Sequence, residues 1–193
     1  MLVACPTHAI KEYSLPRWVA AVGALTYPHE SLLVDNSPDY ALYLRWREQT
    51  PIVHVSIDGT AHQRIGGSMD FIRRHALEHG FDYWLSLECD VIAPPDTIET
   101  MLEWTQSERA DWWCMPCPGR NNPFPFTGNF CCALFSRSLM EQVDFQNPPA
   151  RMATDGWWLR RFLDLHLVAA QNPPRQLSFE HLRHPDPQKD IWW

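Results

Sequence analysis

Residues 83–98 read YWLSLECDVIAPPDTI, an apolar run closed by Glu88 and Asp90, followed by prolines at 94 and 95. Beyond the prolines, Ile98, Met101, Leu102 and Thr105 recur at helical spacing, and proline is well suited to the start of a helix. The order is therefore strand, acidic loop, helix. Working upstream, the same alternation repeats: LVACP (2–6), LPRWVAAVGAL (15–25), SLLVDNS (31–37), DYALYLRWREQ (39–49), PIVHVSID (51–58) and SMDFIRRHALEHG (68–80). Short apolar runs separated by helices predict parallel strands covered on both faces, an α/β fold. Downstream come a strand in ADWWCMPC (110–117), a proline-rich loop PGRNNPFPFTG (118–128), a strand in NFCCALFSR (129–137), a helix near ATDGWWLRRFLDLH (153–166) and a last strand near RQLSFEHLR (175–183).

The position of the two carboxylates carries chemistry. Open α/β sheets bind ligands at the C-terminal ends of their strands, where strand-to-helix loops and helix N-termini converge. Side chains two apart on a strand point the same way, so Glu88 and Asp90 are expected to face one site and Cys89 the other side. Buried carboxylates are costly unless a cation meets them, so the pair asks for arginine, lysine or a metal ion. Glu88 and Asp90 capping the next helix, or pairing with Arg64, is the plain structural alternative.

Composition narrows the function classes. A chain of 193 residues with 45% hydrophobic and 20% charged residues fits one globular domain. The net charge of -7, with no long basic run, gives no electrostatic reason for tight nonspecific binding to nucleic acid or an anionic membrane. No apolar segment approaches the roughly 20 residues of a membrane span, and Leu2 to Cys5 run directly into Pro6 as a strand would, so a cytoplasmic location is expected. Six cysteines in such a chain are expected to be reduced thiols. Cys114 and Cys117, with Cys131 and Cys132 downstream, offer four thiols to a structural zinc. Adjacent cysteines make awkward tetrahedral ligands, however, and thiols pack well within strands.

These residues, taken as an ordered set, resemble the compact GT-A fold glycosyltransferases of glycosyltransferase family two, from the first strand to about His184. Cys5, Pro6 and Thr7 resemble the end of that family's first strand. Val34, Asp35, Asn36, Ser37 and Asp39 resemble its acidic-serine turn, and Arg64 sits near its basic residue before the third helix. Glu88, Cys89 and Asp90 resemble its DxD motif, with Glu at the first position. Thr127 to Phe130 resemble its acceptor segment, Thr154 and Asp155 its acidic pair, with Thr at the first position, and His181 and His184 its late metal-binding histidine. The resemblance implies a Rossmann-like, mostly parallel central sheet flanked by helices in one domain. Residues 1–92 would form the nucleotide-binding half and 93–193 the acceptor half.

It also implies a transferase that moves a sugar from a nucleotide-sugar donor to a hydroxyl acceptor, inverting its configuration. A cation, Mn²⁺ or Mg²⁺, would hold the diphosphate leaving group. Asp90 is then the direct ligand, Glu88 contacts the metal through water or the ribose, and His181 or His184 comes in from the last strand. Pro6, Thr7, Asp35 and Arg64 join Glu88 around the donor, although DNSPD also reads as an Asx turn. Asp155 is the expected general base, or else a helix cap. Trp157, Trp158, Arg160 and Arg161 are the acceptor candidates, against core tryptophans and a solvated arginine face. Compact enzymes resembling this chain include viral glycosyltransferases that decorate hydroxymethylated pyrimidines in DNA, so a modified base stands beside small saccharides and metabolites as acceptor. A nucleotidyltransferase is the rival enzyme, although CPTHAIKEYS (5–14) lacks its glycine-rich phosphate loop. A zinc-stapled interaction module is the non-catalytic rival.

Overall fold

The computed structural model of the chain describes residues 1–114, 130–145, 154–170, 177–186 and 188, with the backbone alone at 154 and 155. Its centre is a six-stranded sheet in the order β3-β2-β1-β4-β7-β6. The strands are β1 (Leu2–Thr7), β2 (Glu30–Asp35), β3 (Ile52–His54), β4 (Tyr83–Leu87), β6 (Trp112–Cys114) and β7 (Cys132–Ser136). β1, β2, β3 and β4 run parallel, while β7 is antiparallel to both β4 and β6. The fold class expected from the sequence is the one observed: a mostly parallel α/β sheet with helices on both faces.

Alternation along each strand builds the two faces. In β1, Val3 and Cys5 enter one core, and Leu2 and Ala4 the other. The first core is covered by α1 (Leu15–Gly23), α2 (Ala41–Trp46) and α4 (Thr97–Ser107), through Trp18, Val22, Leu42, Met101 and Trp104. The second is covered by α3 (Ala61–Glu78), α5 (Arg137–Gln142) and α6 (Thr154–Asp164), through Ile72, Ala76, Met140, Trp158 and Phe162. Each buried Val, Leu, Ile, Met or Phe among them contributes about 1.5–3 kcal/mol of transfer free energy. Two of the buried indoles, Trp18 and Trp84, are hydrogen-bonded to strand backbone, whereas Trp104 Nε1 and Trp112 Nε1 have no hydrogen-bond partner among the described residues. Trp18 Nε1 donates to Leu87 O at 3.1 Å and Trp84 Nε1 to Ala4 O at 3.0 Å, so each ties its polar edge to a strand backbone.

Two boundaries differ from the sequence reading. α3 begins at Ala61 rather than at Ser68, because Thr60 forms a reciprocal capping box with Gln63 and the helix continues through Gly66 and Gly67. A Cβ at Gly67 would stand 2.8 Å from Ile57 Cδ1, so the glycine gives the chain after β3 room to pack on the helix. α4 starts at Thr97 with Asp96 at its N-cap, so Pro94 and Pro95 lie in the loop ahead of it. A short second sheet pairs β5 (Val91–Ile92) antiparallel with β8 (Glu180–His181). Among the described residues, no helix is long and apolar enough to cross a membrane.

Candidate active site

The parallel register lines up polar residues at the C-terminal edge of the sheet. Thr7 is level with Asp35, and Asp35 with His54. The sheet order turns back between β1 and β4, so the crevice at this edge is a topological switch point, where α/β sheets place ligands.

β4 ends at Leu87, and residues 88–91 form a tight turn closed by Val91 N donating to Glu88 O at 2.9 Å. Glu88 and Asp90 therefore do not sit on a strand, and strand alternation is not what brings them together. The turn does so. Leu182 N donates to Asp90 O at 2.7 Å, and the pairing of Val91 with His181 carries the imidazole to the same place. Arg17 on α1 grips Glu180 with two bonds, 2.9 Å from Nη1 to Oε1 and 2.6 Å from Nη2 to Oε2, and so fixes β8 from outside. Glu88, Asp90 and His181 each offer one ligand atom, and these atoms all lie within 4.8 Å of one another. His181 Nε2 is 3.4 Å from Asp90 Oδ2. His184 stands elsewhere: its Nδ1 accepts from Asp186 N at 2.9 Å, and its ring meets Tyr13 edge-on at 4.8 Å.

A cation already meets Asp90, and it is neither Arg64 nor a helix terminus. Lys11 Nζ donates to Asp90 Oδ2 from a 3-10 turn, Ala9–Ser14, that the sequence reading left without a role. Burial by itself would push the Asp90 carboxyl up. The neighbouring His181 imidazole and the charge and hydrogen bond of Lys11 outweigh it and hold the group at about 2. Burial likewise pulls Lys11 down, and Asp90 more than offsets this, so its ammonium stays charged well above the usual lysine range. Lys11 sits among the residues without glycine that follow β1, and a lone lysine there gives no sequence signal distinct from a surface residue.

The donor candidates cluster around the neighbouring strand ends. Thr7 Oγ1 donates to Cys89 Sγ at 3.4 Å, which faces it toward the acidic turn. Asp35 is fully buried; its Oδ1 accepts from Ser37 N at 2.9 Å and Ser37 Oγ at 2.5 Å, and its Oδ2 lies 3.0 Å from His54 Nδ1. The Asx turn and the polar cluster are thus the same structure. Tyr40, 57% exposed, lies with its ring 4.1 Å from that of His54. Arg64 stands in the first turn of α3 and its Nη1 donates to Gly59 O at 2.8 Å. Burial, then the charge of Arg64, lowers His8, while Asp35 and Asp39 pull it up, so His8 sits between the two signs of charge. Pro6 is half-buried in β1 beside Val34.

On the other half, Asp155 lies in the first turn of α6, and its side chain is outside the described residues. Trp158 is packed in the core against Phe130 and Phe145, with Nε1 donating to Phe145 O at 3.3 Å, so its indole is a core contact rather than an acceptor surface. Trp157 is half-buried. Arg160 is paired with Asp164 at 3.0 Å and Arg161 with Asp144 at 2.7 Å. Cys117 and Thr127 to Asn129 lie outside the described residues; Cys131 and Cys132 are buried, and Cys132 Sγ contacts Met101 Sδ at 3.8 Å. Among the described residues, the metal-ligand cluster is Glu88, Asp90 and His181, with no cysteine in it.

No protein-family model matches the chain, and no curated protein matches it in sequence. Its fold, in contrast, is shared with solved structures. TarS 1-349 of S. aureus in complex with UDP-GlcNAc aligns with a TM-score of 0.69 at 13% identity, over 100% of this chain and 61% of that one. The mannosyltransferase PcManGT from Pyrobaculum calidifontis, in complex with GDP-Man and Mn2+, aligns with a TM-score of 0.65 at 18% identity, over 90% of this chain and 54% of that one. CMP:2-keto-3-deoxy-manno-octonic acid synthetase complexed with CTP aligns with a TM-score of 0.61 at 7% identity, over 88% and 87% of the two chains. The chain therefore spans about three-fifths of the TarS fragment and nearly the whole length of the synthetase. Its architecture is the GT-A type found in nucleotide-diphospho-sugar transferases.

Proposed function

Starting from a GT-A type sheet with two carboxylates and an imidazole gathered at its switch point, we propose that this chain is a nucleotide-sugar-dependent glycosyltransferase that uses a divalent metal. The observation that carries the reading is the convergence of Glu88, Asp90 and His181 within 4.8 Å beside β1 and β4. Two carboxylate oxygens and a ring nitrogen are a donor set suited to Mn²⁺ or Mg²⁺, with Asp90 the most enclosed of the three. Held by Glu88, Asp90 and His181, such a cation would supply charge neutralisation for a diphosphate leaving group.

The chain's own residues divide the remaining work. Thr7, Asp35 and Arg64, with Pro6 beside them, line the donor side in residues 1–92. Both Asp35 oxygens are occupied by Ser37 and His54, so the carboxylate acts chiefly by fixing His54 and the neighbouring Tyr40 ring, which then face the base or ribose. Asp155, at the start of α6 in residues 93–193, takes the proton from the acceptor hydroxyl, as an inverting displacement requires. Trp157 contributes an aromatic edge. Arg161 is committed to Asp144 and Arg160 pairs with Asp164 on the same helix face, so no unpaired basic rim is evident among the described residues of α6, and a saccharide or metabolite hydroxyl is favoured over a modified DNA base.

A ligand that binds only the native state raises its melting temperature. UDP- and GDP-sugars with Mn²⁺ are expected to raise Tm by more than either component alone in a thermal-shift screen. The near full-length likeness to a synthetase that binds CTP supports a second reading, nucleotidyl transfer. Tm rising with CTP but with no nucleotide sugar, together with pyrophosphate release, would replace the glycosyltransferase reading by that one. Within the metal site, His181→Ala is expected to weaken Mn²⁺ binding about tenfold or more while His184→Ala leaves it near wild type, read by isothermal titration. The reverse ranking would move the ligand to His184.

A further inference from the structure

Asp90 gathers two partners on one oxygen. Lys11 Nζ and His181 Nε2 both reach Oδ2, the former as an ion pair in which the Asp90 side chain is 2% exposed and that of Lys11 19%. The turn bearing Lys11 is anchored along its length. His8 accepts from Ile10 N at 3.2 Å, and Ser14 Oγ donates to Lys11 O at 2.7 Å. Tyr13 Oη donates to Leu182 O at 3.2 Å, and Glu12 accepts from Arg45 Nε and Nη2, each at 2.7 Å. The backbone of Lys11 is therefore held, while its four-carbon stem lets the ammonium move by rotamer change. A divalent ion bound among Glu88, Asp90 and His181 needs the carboxylate on which that ammonium rests. Two cations a few ångströms apart in an enclosed site repel strongly, so they cannot both keep full contact with one carboxylate.

We propose that Lys11 is a resident counter-ion of the metal site, which neutralises Asp90 when no metal is bound and must be displaced for a divalent cation to enter. The proposal rests on the metal-dependent reading above and adds to it a competitor built into the fold. A buried carboxylate left without a counter-ion is costly, so the lysine keeps the metal-free site intact. The same contact lowers the affinity for metal, since displacing the ammonium is part of the cost of binding. Lys11 is thus a positioning residue for Asp90 and sets the metal concentration at which the site fills.

The test uses Mn²⁺ alone, with no nucleotide. Free Mn²⁺ is followed by its six-line electron paramagnetic resonance signal during titration of wild type, Lys11→Met and Lys11→Arg. Lys11→Met is expected to bind Mn²⁺ about tenfold or more tighter than wild type, and Lys11→Arg, which keeps the charge, to bind within about threefold of wild type. Because Lys11→Met leaves Asp90 buried without its ammonium, its metal-free Tm should drop, and Mn²⁺ should raise that Tm by more than it raises the wild type's. Equal or weaker Mn²⁺ binding by Lys11→Met, with wild type binding normally, overturns the counter-ion role and leaves the metal site standing. Absence of Mn²⁺ binding by all three proteins overturns both.

Discussion

Asp90→Asn is expected to abolish Mn²⁺ binding and lower sugar transfer by about 10³-fold or more, several kcal/mol of lost charge stabilisation at the leaving group. The amide preserves shape and removes the charge at the most enclosed atom of the cluster. It also strips Lys11 of its counter-ion, and breaking a buried pair from one side costs about 3–5 kcal/mol, less here because Lys11 is partly exposed. A drop in Tm must therefore be separated from a loss of chemistry. The double variant Lys11→Met/Asp90→Asn does this, since it removes both charges and is expected to recover much of the stability while remaining inactive. Transfer at near wild-type rate by either folded variant would end the metal assignment. Glu88→Gln provides the contrast: a ligand acting through water should cost less than Asp90, and a larger loss at Glu88 would exchange their roles.

For Asp155→Asn, the expected loss is in the chemical step, about 10² to 10⁴-fold in kcat, with donor affinity unchanged. The argument is one of division of labour. In the proposed reading, donor and metal belong to the strand ends of the first half and to β8, which leaves Asp155, in the first turn of α6, as the proton acceptor. The same helix position suits a cap, and a capping role predicts a different result: a Tm drop corresponding to about 0.5–2 kcal/mol for Asp155→Ala, little change for Asn, and kcat preserved in both. Measuring kcat, donor Kd and Tm on the pair of variants distinguishes base from cap. Weakened donor binding, or a product of retained configuration, would remove Asp155 from the base role.

The α/β architecture was legible in the chain because it follows from local periodicity. Apolar runs such as LVACP, SLLVDNS and YWLSL are short, continuous and separated by helical segments, which is how a sheet buried on both faces uses them; Val3 and Cys5 on one side, and Leu2 and Ala4 on the other, are that pattern made physical. The acidic turn at Glu88 and Asp90 was legible too, since two carboxylates closing an apolar run stand out from any core pattern. The grounds for pairing them, however, were wrong. The strand stops at Leu87, and the hydrogen bond from Val91 N to Glu88 O, rather than a two-residue strand repeat, turns both carboxylates inward.

What the tertiary structure alone decided is which groups from elsewhere in the chain meet that turn. His181 arrives because a two-residue strand pairs with Val91 and Ile92, an interaction too short to leave any periodicity in the sequence. His184, three residues on, is equivalent to it in composition and ends up against Tyr13. Lys11 is 79 residues from Asp90 and reads as an ordinary charged residue in a loop; its meaning comes from a 3-10 turn that folds it back over the end of β4. Periodicity records which face of an element is buried, because every turn or pleat repeats that requirement. A single long-range ion pair is required once, by two residues, and so leaves no repeated mark for a reader of the sequence to find.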